Sequence, residues 1–396
     1  MVKEFGKSEN FSSFKRENFL DNFRQPSILD PHQLATDISM YNFTSYDAIG
    51  SSQYGNEVLS FAGVTNSWKN SHDLCIYATK VLASNARESH SNFVLSLPMP
   101  TKVISTEMLA PSKFIVATQQ RLALISLKDE HNSVSDFRFF PSSQPQAASL
   151  TKSVVTPWKL GGPILTASMD GQICSQYAER IMQQNCWESP SKQILCGQYV
   201  RKLRQSILSL ACHRRLPNVV AATQGSCFEL LDLRSNEMGT SIPVTFPLMY
   251  DLCFLRENEL LSVHSGGYVV LTDIRFPNGQ CTWEHRDQSC AALRRVSCNS
   301  YGSNFVIQGF TGSSLYSARK RQLHPRWRGE LRPFKAQSPG KLKSPPKPQC
   351  VGHSFFPIPG TDQELILQLG SHGDLHYYGP FPNLRSSPSP GKRQLL

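Results

Sequence analysis

Two short patterns pair opposite charges at a fixed spacing: Asp232-Leu-Arg234 and Asp273-Ile-Arg275. A carboxylate two residues ahead of a guanidinium can close a turn on itself as a local salt bridge. The same arginine can instead anchor an interface, because its planar fork of donors suits the centre of a protein contact. A larger concentration of charge runs from Arg319 to Gln349. It holds ten basic residues, among them Arg319, Lys320, Arg321, Arg326, Arg328, Arg332 and Lys335, against one acid, Glu330. The whole chain of 396 residues carries a formal charge of +11, so this segment supplies most of the excess and the remainder is nearly neutral. Cations at this density attract phosphate without regard to sequence and in a salt-dependent way. Trp327 and Phe334 could stack on bases there. A solvated linker, or a nuclear import signal centred on Arg319-Lys320-Arg321, accounts for the same residues. Ser338-Pro339, Ser344-Pro345, Ser387-Pro388 and Ser389-Pro390 suit proline-directed phosphorylation. Each phosphate would add about −1.5 to −2 charges and weaken the basic field.

Nothing points to catalysis. The chain has no Gly-x-Ser-x-Gly elbow, no phosphate loop and no His-Glu-x-x-His. Cys212 and His213 are adjacent, but neighbours on a strand face opposite sides and are poorly placed to share a metal. The 11 cysteines stand singly, mostly inside apolar runs, with no Cys-x-x-Cys. They read as small buried hydrophobes in a reducing compartment. No catalytic residue, cofactor or metal is expected, and the chain is not expected to be an enzyme.

The elements that carry these residues are short strands. Charged residues make up only 18% of the chain, while Gly and Pro number 24 and 26. Few charges and many turn formers fit an all-β protein. Val219–Ser235 and Glu259–Phe276 are each an apolar run, a tight polar or glycine turn, a second apolar run and then Asp-x-Arg. That is the hairpin signature. Their turn glycines, Gly225 and Gly266, stand 41 residues apart, close to the ~40–45-residue period of a propeller blade. Comparable hairpins centre on Gln120, Asp170, Gly312 and His372, and one more occupies residues 58–82.

Seven hairpins, each with one or two flanking runs, predict an all-β, seven-bladed β-propeller over residues 36–380. A disordered basic insertion, residues 319–349, precedes the last blade, because its prolines preclude a regular strand or helix over much of it. Residues 381–396 form a disordered tail. Residues 1–35 form an arm in which Phe14, Phe19 and Phe23 stand among charges. The arm is either a short helix covering an edge of the body or a partner-binding peptide with aromatic anchors. No run approaches the ~18 apolar residues of a membrane span, and the polar N-terminus does not read as a secretory signal. The expected location is the nucleus, the cytoplasm or both, with no membrane contact.

These units resemble WD repeats. Asp170-Gly171 before an apolar strand and Leu231-Asp-Leu-Arg234 stand where that family has its Asp-Gly turn and Trp-Asp pair, and Gly352-His353 precedes the last unit. The match is degenerate: Trp is absent from the Trp-Asp position in every unit. The run of consecutive Asp-x-Arg units, with Gly352-His-Ser-Phe-Phe356 before the last hairpin, resembles one branch of the family. That likeness implies a scaffold linked to the Integrator RNA-processing machinery. The resemblance also implies a second role, since Trp-Asp-x-Arg boxes dock to the cullin-4 adaptor; here Leu231 and Thr272 replace the Trp. The expectation is therefore a non-catalytic scaffold in a nuclear or nucleocytoplasmic complex, its partners other protein subunits. The alternatives are a cullin-4 substrate receptor and direct, weak nucleic-acid contact through residues 319–349.

Overall fold

The computed structural model describes residues 41–382 except 51–56, 67–69, 81–89, 111, 129–133, 140–149, 156–162, 178–196, 214, 217, 236–238, 277–278, 288–291, 300, 320–321, 331–349, 359–362 and 371–374. The arm with Phe14, Phe19 and Phe23 lies outside these residues, as does the tail beyond Pro382.

The described residues build antiparallel sheets, each a meander in chain order. The first holds β1 (Tyr41–Gly50), β2 (Glu57–Asn66), β3 (Ser71–Lys80) and β4 (His90–Met99). The second holds β5 (Val103–Ala110), β6 (Lys113–Thr118), β7 (Leu122–Leu127) and β8 (Val134–Phe139). The third holds β9 (Leu150–Val155), β10 (Pro163–Ser168), β11 (Gln172–Tyr177) and β12 (Gly197–Lys202). The fourth holds β13 (Leu210–Cys212), β14 (Val219–Gln224), β15 (Cys227–Asp232) and β16 (Thr240–Pro243). The fifth holds β17 (Met249–Arg256), β18 (Glu259–His264), β19 (Tyr268–Asp273) and β20 (Gln280–Arg286). The sixth holds β21 (Arg295–Cys298), β22 (Asn304–Gln308), β23 (Gly312–Arg319) and β24 (Gln322–Glu330). The seventh has three strands, β25 (Cys350–Pro357), β26 (Gln363–Gly370) and β27 (Leu375–Pro382). The all-β reading of the sequence is thus the architecture, and the central hairpin of every sheet falls where the sequence puts one.

Each sheet buries both faces, which is why its second strand carries apolar residues on both sides rather than on one alone. In β2, Val58, Ala62 and Val64 point one way and Leu59 and Phe61 the other. Phe61 meets Phe114 of the second sheet with ring centroids 4.7 Å apart. Ile115 and Leu124 meet Ile164 between the second and third sheets. Leu165 and Ile173 meet Val220 and Leu231 between the third and fourth. Phe228 and Ile242 meet Phe254 and Leu260 between the fourth and fifth. Val263 and Leu271 meet Phe305 and Tyr316 between the fifth and sixth. The seventh sheet packs on the first, with Leu365, Leu367 and Phe356 against Tyr46, Val58 and Tyr77. The turn at Gly266-Gly267 places both residues at positive φ, 78° and 85°, a conformation open to glycine at little cost.

Two boundaries differ from the sequence reading. The basic segment is not an insertion from Arg319 onward: β23 runs through Arg319, and Gln322–Glu330 is β24, paired along the length of β23. Pro325 does not block this strand because it sits at a bulge, where the register shifts between Leu315 and Tyr316, on the outermost strand of its sheet. Only residues 331–349 remain as the connection to the seventh sheet. The last strand also continues to Pro382, two residues past the expected end.

Candidate functional site

The Asp-x-Arg pairs sit at corresponding turns of neighbouring sheets. β15 and β19 are third strands, and each ends on the aspartate. Asp232 Oδ1 accepts from the Arg234 N–H at 3.0 Å, which closes the turn, and from Arg234 Nε at 3.0 Å, while Arg234 Nη2 donates to Oδ2 at 2.6 Å. Asp273 and Arg275 repeat the arrangement, with the backbone bond at 3.0 Å and Nε at 2.9 Å. The salt-bridge reading of these motifs therefore holds. The bonds from Arg234 keep the Asp232 carboxyl at about 2, and the two guanidiniums are raised by the bonds to their aspartates. Both arginine side chains remain largely in solvent, at 70% and 62% exposure. Local pairing thus fixes one edge of each guanidinium and leaves the rest facing outward.

The meander decides what else shares that end. First-to-second and third-to-fourth connections emerge together, as Leu233 N–H to Asn218 O at 2.8 Å and Ile274 N–H to Asn258 O at 2.9 Å confirm. Exposed Leu216, Phe276 and Tyr301 occupy such connections in the fourth, fifth and sixth sheets. Arg215 pairs with Glu257 across the fourth and fifth. Arg319 ends β23, the third strand of the sixth sheet, so it too stands at this end. Arg326 and Arg328 lie along β24. Lys320, Arg321, Arg332 and Lys335 lie outside the described residues. The structure thus brings Arg234, Arg275 and the start of the basic segment to one end of three consecutive sheets.

A second cluster was not visible in the sequence. It lies on the innermost strands. Asp251 of β17 accepts from the Val296 N–H of β21 at 2.9 Å and from Ser209 Oγ, which precedes β13. One carboxylate therefore ties the fifth sheet to both neighbours. Asp47 of β1 accepts from the Thr106 N–H of β5 at 2.8 Å in the same manner. His353 of β25 bridges to the sixth sheet, its Nδ1 2.6 Å from Gln308 Oε1 and its Nε2 2.6 Å from Ser297 Oγ. Gln308 Nε2 donates to Cys350 O at 3.1 Å, so its Oε1 accepts and Nδ1 of the histidine carries the proton. Burial, and then the charges of Arg295 and Lys152, hold this imidazole down at about 3. Burial also pushes Glu107 up to about 7, with Lys152 opposing and Asp47 adding to the rise, and it raises Asp47 against the pull of Arg295 and Lys152. A cavity of about 340 Å³ opens among Asp47, Lys152, Asp251, Arg295, His353 and Glu364.

His213, read as a strand-end residue, follows β13, is buried, and has Nε2 2.6 Å from Glu257 O. Among the described residues no group of three His, Cys, Asp or Glu is placed to hold a metal ion. None of the described cysteines is in a disulfide, and no described helix is long and apolar enough to cross a membrane.

What the fold defines is an all-β chain of repeated antiparallel sheets with a charged turn surface at one end and a polar cavity on the inner strands. No family model and no curated protein matches the sequence.

Proposed function

We propose that the seven sheets are the blades of a β-propeller and that the chain is a non-catalytic scaffold that holds other protein subunits together in a nuclear or nucleocytoplasmic complex. Packing of each sheet on the next, and of the seventh on the first, supports the ring. One observation carries the functional reading: two like Asp-x-Arg turns on adjacent sheets present pre-oriented guanidiniums at the same end of the sheets as exposed Leu216, Phe276 and Tyr301. Arginine with aromatic neighbours is the usual make-up of an interface centre. A guanidinium already fixed at one edge loses less freedom on binding. The link to RNA processing rests on the WD-repeat likeness of the sequence alone.

The test is affinity purification of the full chain from native cells, beside the double variant Arg234→Ala/Arg275→Ala. The expected outcome is loss of the principal co-purifying proteins, with an unchanged far-UV spectrum and urea midpoint. An unchanged set of partners removes this surface from the reading. Recovery of the cullin-4 adaptor with the wild type alone would identify the complex as a ubiquitin ligase instead. Nuclease-sensitive, salt-sensitive recovery would favour nucleic-acid contact through the basic segment.

A further inference from the structure

The joint between the sixth and seventh sheets differs from the other six. Its apolar contact is a narrow stripe of Val306, Leu315 and Ile366, with Phe355 and Tyr378 against it. On the sixth sheet that stripe is flanked by buried Asn304, Gln308, Ser313 and Ser317, and on the seventh by His353, Glu364 and Gln368. Strand alternation explains the pattern: in β22 the order Asn304, Val306, Gln308 occupies one face, and in β26 Glu364, Ile366, Gln368 does the same. Both amide atoms of Gln368 are buried without a hydrogen-bond partner. Such a group costs about 1–3 kcal/mol. Its innermost strands, β21 and β25, also pack less directly on each other than the other neighbouring innermost pairs. The cavity of about 340 Å³ opens at this point.

The charges lining it are unequally engaged. Asp251 has both oxygens taken, by Ser209 and by the Val296 N–H. Glu364 has both taken, accepting from Asn299 Nδ2 at 3.0 Å to each oxygen and from Asn304 Nδ2 at 2.7 Å. Asp47 has only Oδ2 occupied, by the Thr106 N–H. The Lys152 and Arg295 side chains line the same space; their charges act on Asp47 and His353, but among the described residues neither side chain has a hydrogen bond or a close ion pair. The protein therefore leaves two cations and one carboxylate oxygen for an occupant. A plain anion would add to the charge of three carboxylates in the wall. A plain cation would face Lys152 and Arg295. A molecule carrying both charges leaves the balance unchanged and meets all three open groups. The volume falls at the lower end of small-ligand sites, about 300–1,000 Å³, and Phe355 supplies an apolar wall.

We propose that this cavity is a binding site for a small zwitterion of the amino-acid type, its carboxylate held between Lys152 and Arg295 and its ammonium group at Asp47. The inference is independent of the turn surface and its partners.

The test uses the full chain and the twenty free L-amino acids at millimolar concentration, first by thermal shift and then by calorimetry for those that shift it. At least one should bind. Acetate alone and methylammonium alone should each bind roughly tenfold more weakly or worse, a loss of about 1.4 kcal/mol for each tenfold step. Lys152→Met and Arg295→Met should weaken binding by a similar factor, while exposed Lys128→Met leaves it unchanged. Asp47→Asn keeps an acceptor for the Thr106 N–H, so it should fold normally and still weaken binding. The proposal is overturned if no amino acid binds. It is also overturned if acetate binds as tightly as the amino acid, which would make this a simple anion site. Binding indifferent to Lys152→Met, Arg295→Met and Asp47→Asn would overturn it as well.

Discussion

Single polar residues hold the inner strands at their spacing, and their removal should be felt across more than one sheet. Asp251 is nearly buried and joins the fifth sheet to Ser209 on one side and to the Val296 N–H on the other. Asp251→Ala leaves a buried N–H and a buried hydroxyl without their acceptor, so it should cost about 2–3 kcal/mol, read as a lower urea midpoint with an unchanged slope. His353 supplies a pH signature. Its folded imidazole titrates at about 3 against 6.5 when free. Above 6.5 its contribution to stability is complete, and it drains as pH falls toward 3, because the unfolded chain takes the proton first. His264, held by burial at about 4, acts in the same direction. Glu107, raised to about 7, acts in the opposite one: its contribution is complete below about 4.5 and is lost as pH rises through 7. The two histidines thus lower stability as pH falls below about 6.5, and the raised carboxyls of Glu107, Asp47 and Glu229 oppose them. His353→Asn should flatten that loss; the same steepness as wild type in urea titrations at several pH values would refute the assignment.

At the scale of elements, the close approach of β25 to β1 depends on one missing methyl. A Cβ on Gly352 would lie 2.7 Å from the Tyr46 carbonyl oxygen, and backbone cannot give way as a side chain can. Gly352→Ala should cost about 1–3 kcal/mol, and hydrogen exchange should quicken first in β1 and β25. A loss confined to the sixth sheet would contradict this placement. Gly352-His353 was legible in the sequence as a family mark, and its two residues prove to serve different joints, the glycine toward the first sheet and the histidine toward the sixth. The central hairpins were legible too, because their signals are local: Asp170-Gly171, Gly225 and Gly266 sit between apolar runs. β24 was not, since Pro325 and the basic residues outweighed an apolar signal that an outermost strand hardly needs. The inner cavity left no local trace. Asp47, Lys152, Asp251, Arg295 and His353 come from five different sheets, and each looks solitary within its own run.

At the scale of the whole molecule, charge and polarity are segregated by the meander. Connections at one end carry Arg234 and Arg275 with exposed Leu216, Phe276 and Tyr301, exposed Met169 and Leu248 lie at the other end, and inner strands carry the buried charges. The outermost strands complete the pattern, and Pro325 is not alone there. Pro98 lies in β4, Pro243 in β16, and Pro380 and Pro382 in β27, the last strand of the one sheet with three. An outermost strand offers bare backbone donors and acceptors to any extended chain it meets, whatever its sequence. Proline removes a donor from that row and spoils the template. The consequence is colloidal: imino acids on the outermost strands should limit edge-to-edge association between copies of the chain. Pro325→Val should leave the melting temperature nearly unchanged yet bring turbidity and thioflavin-positive material at lower protein concentration. A variant that stays as clear as the wild type on prolonged incubation would show that the periphery is guarded by something else.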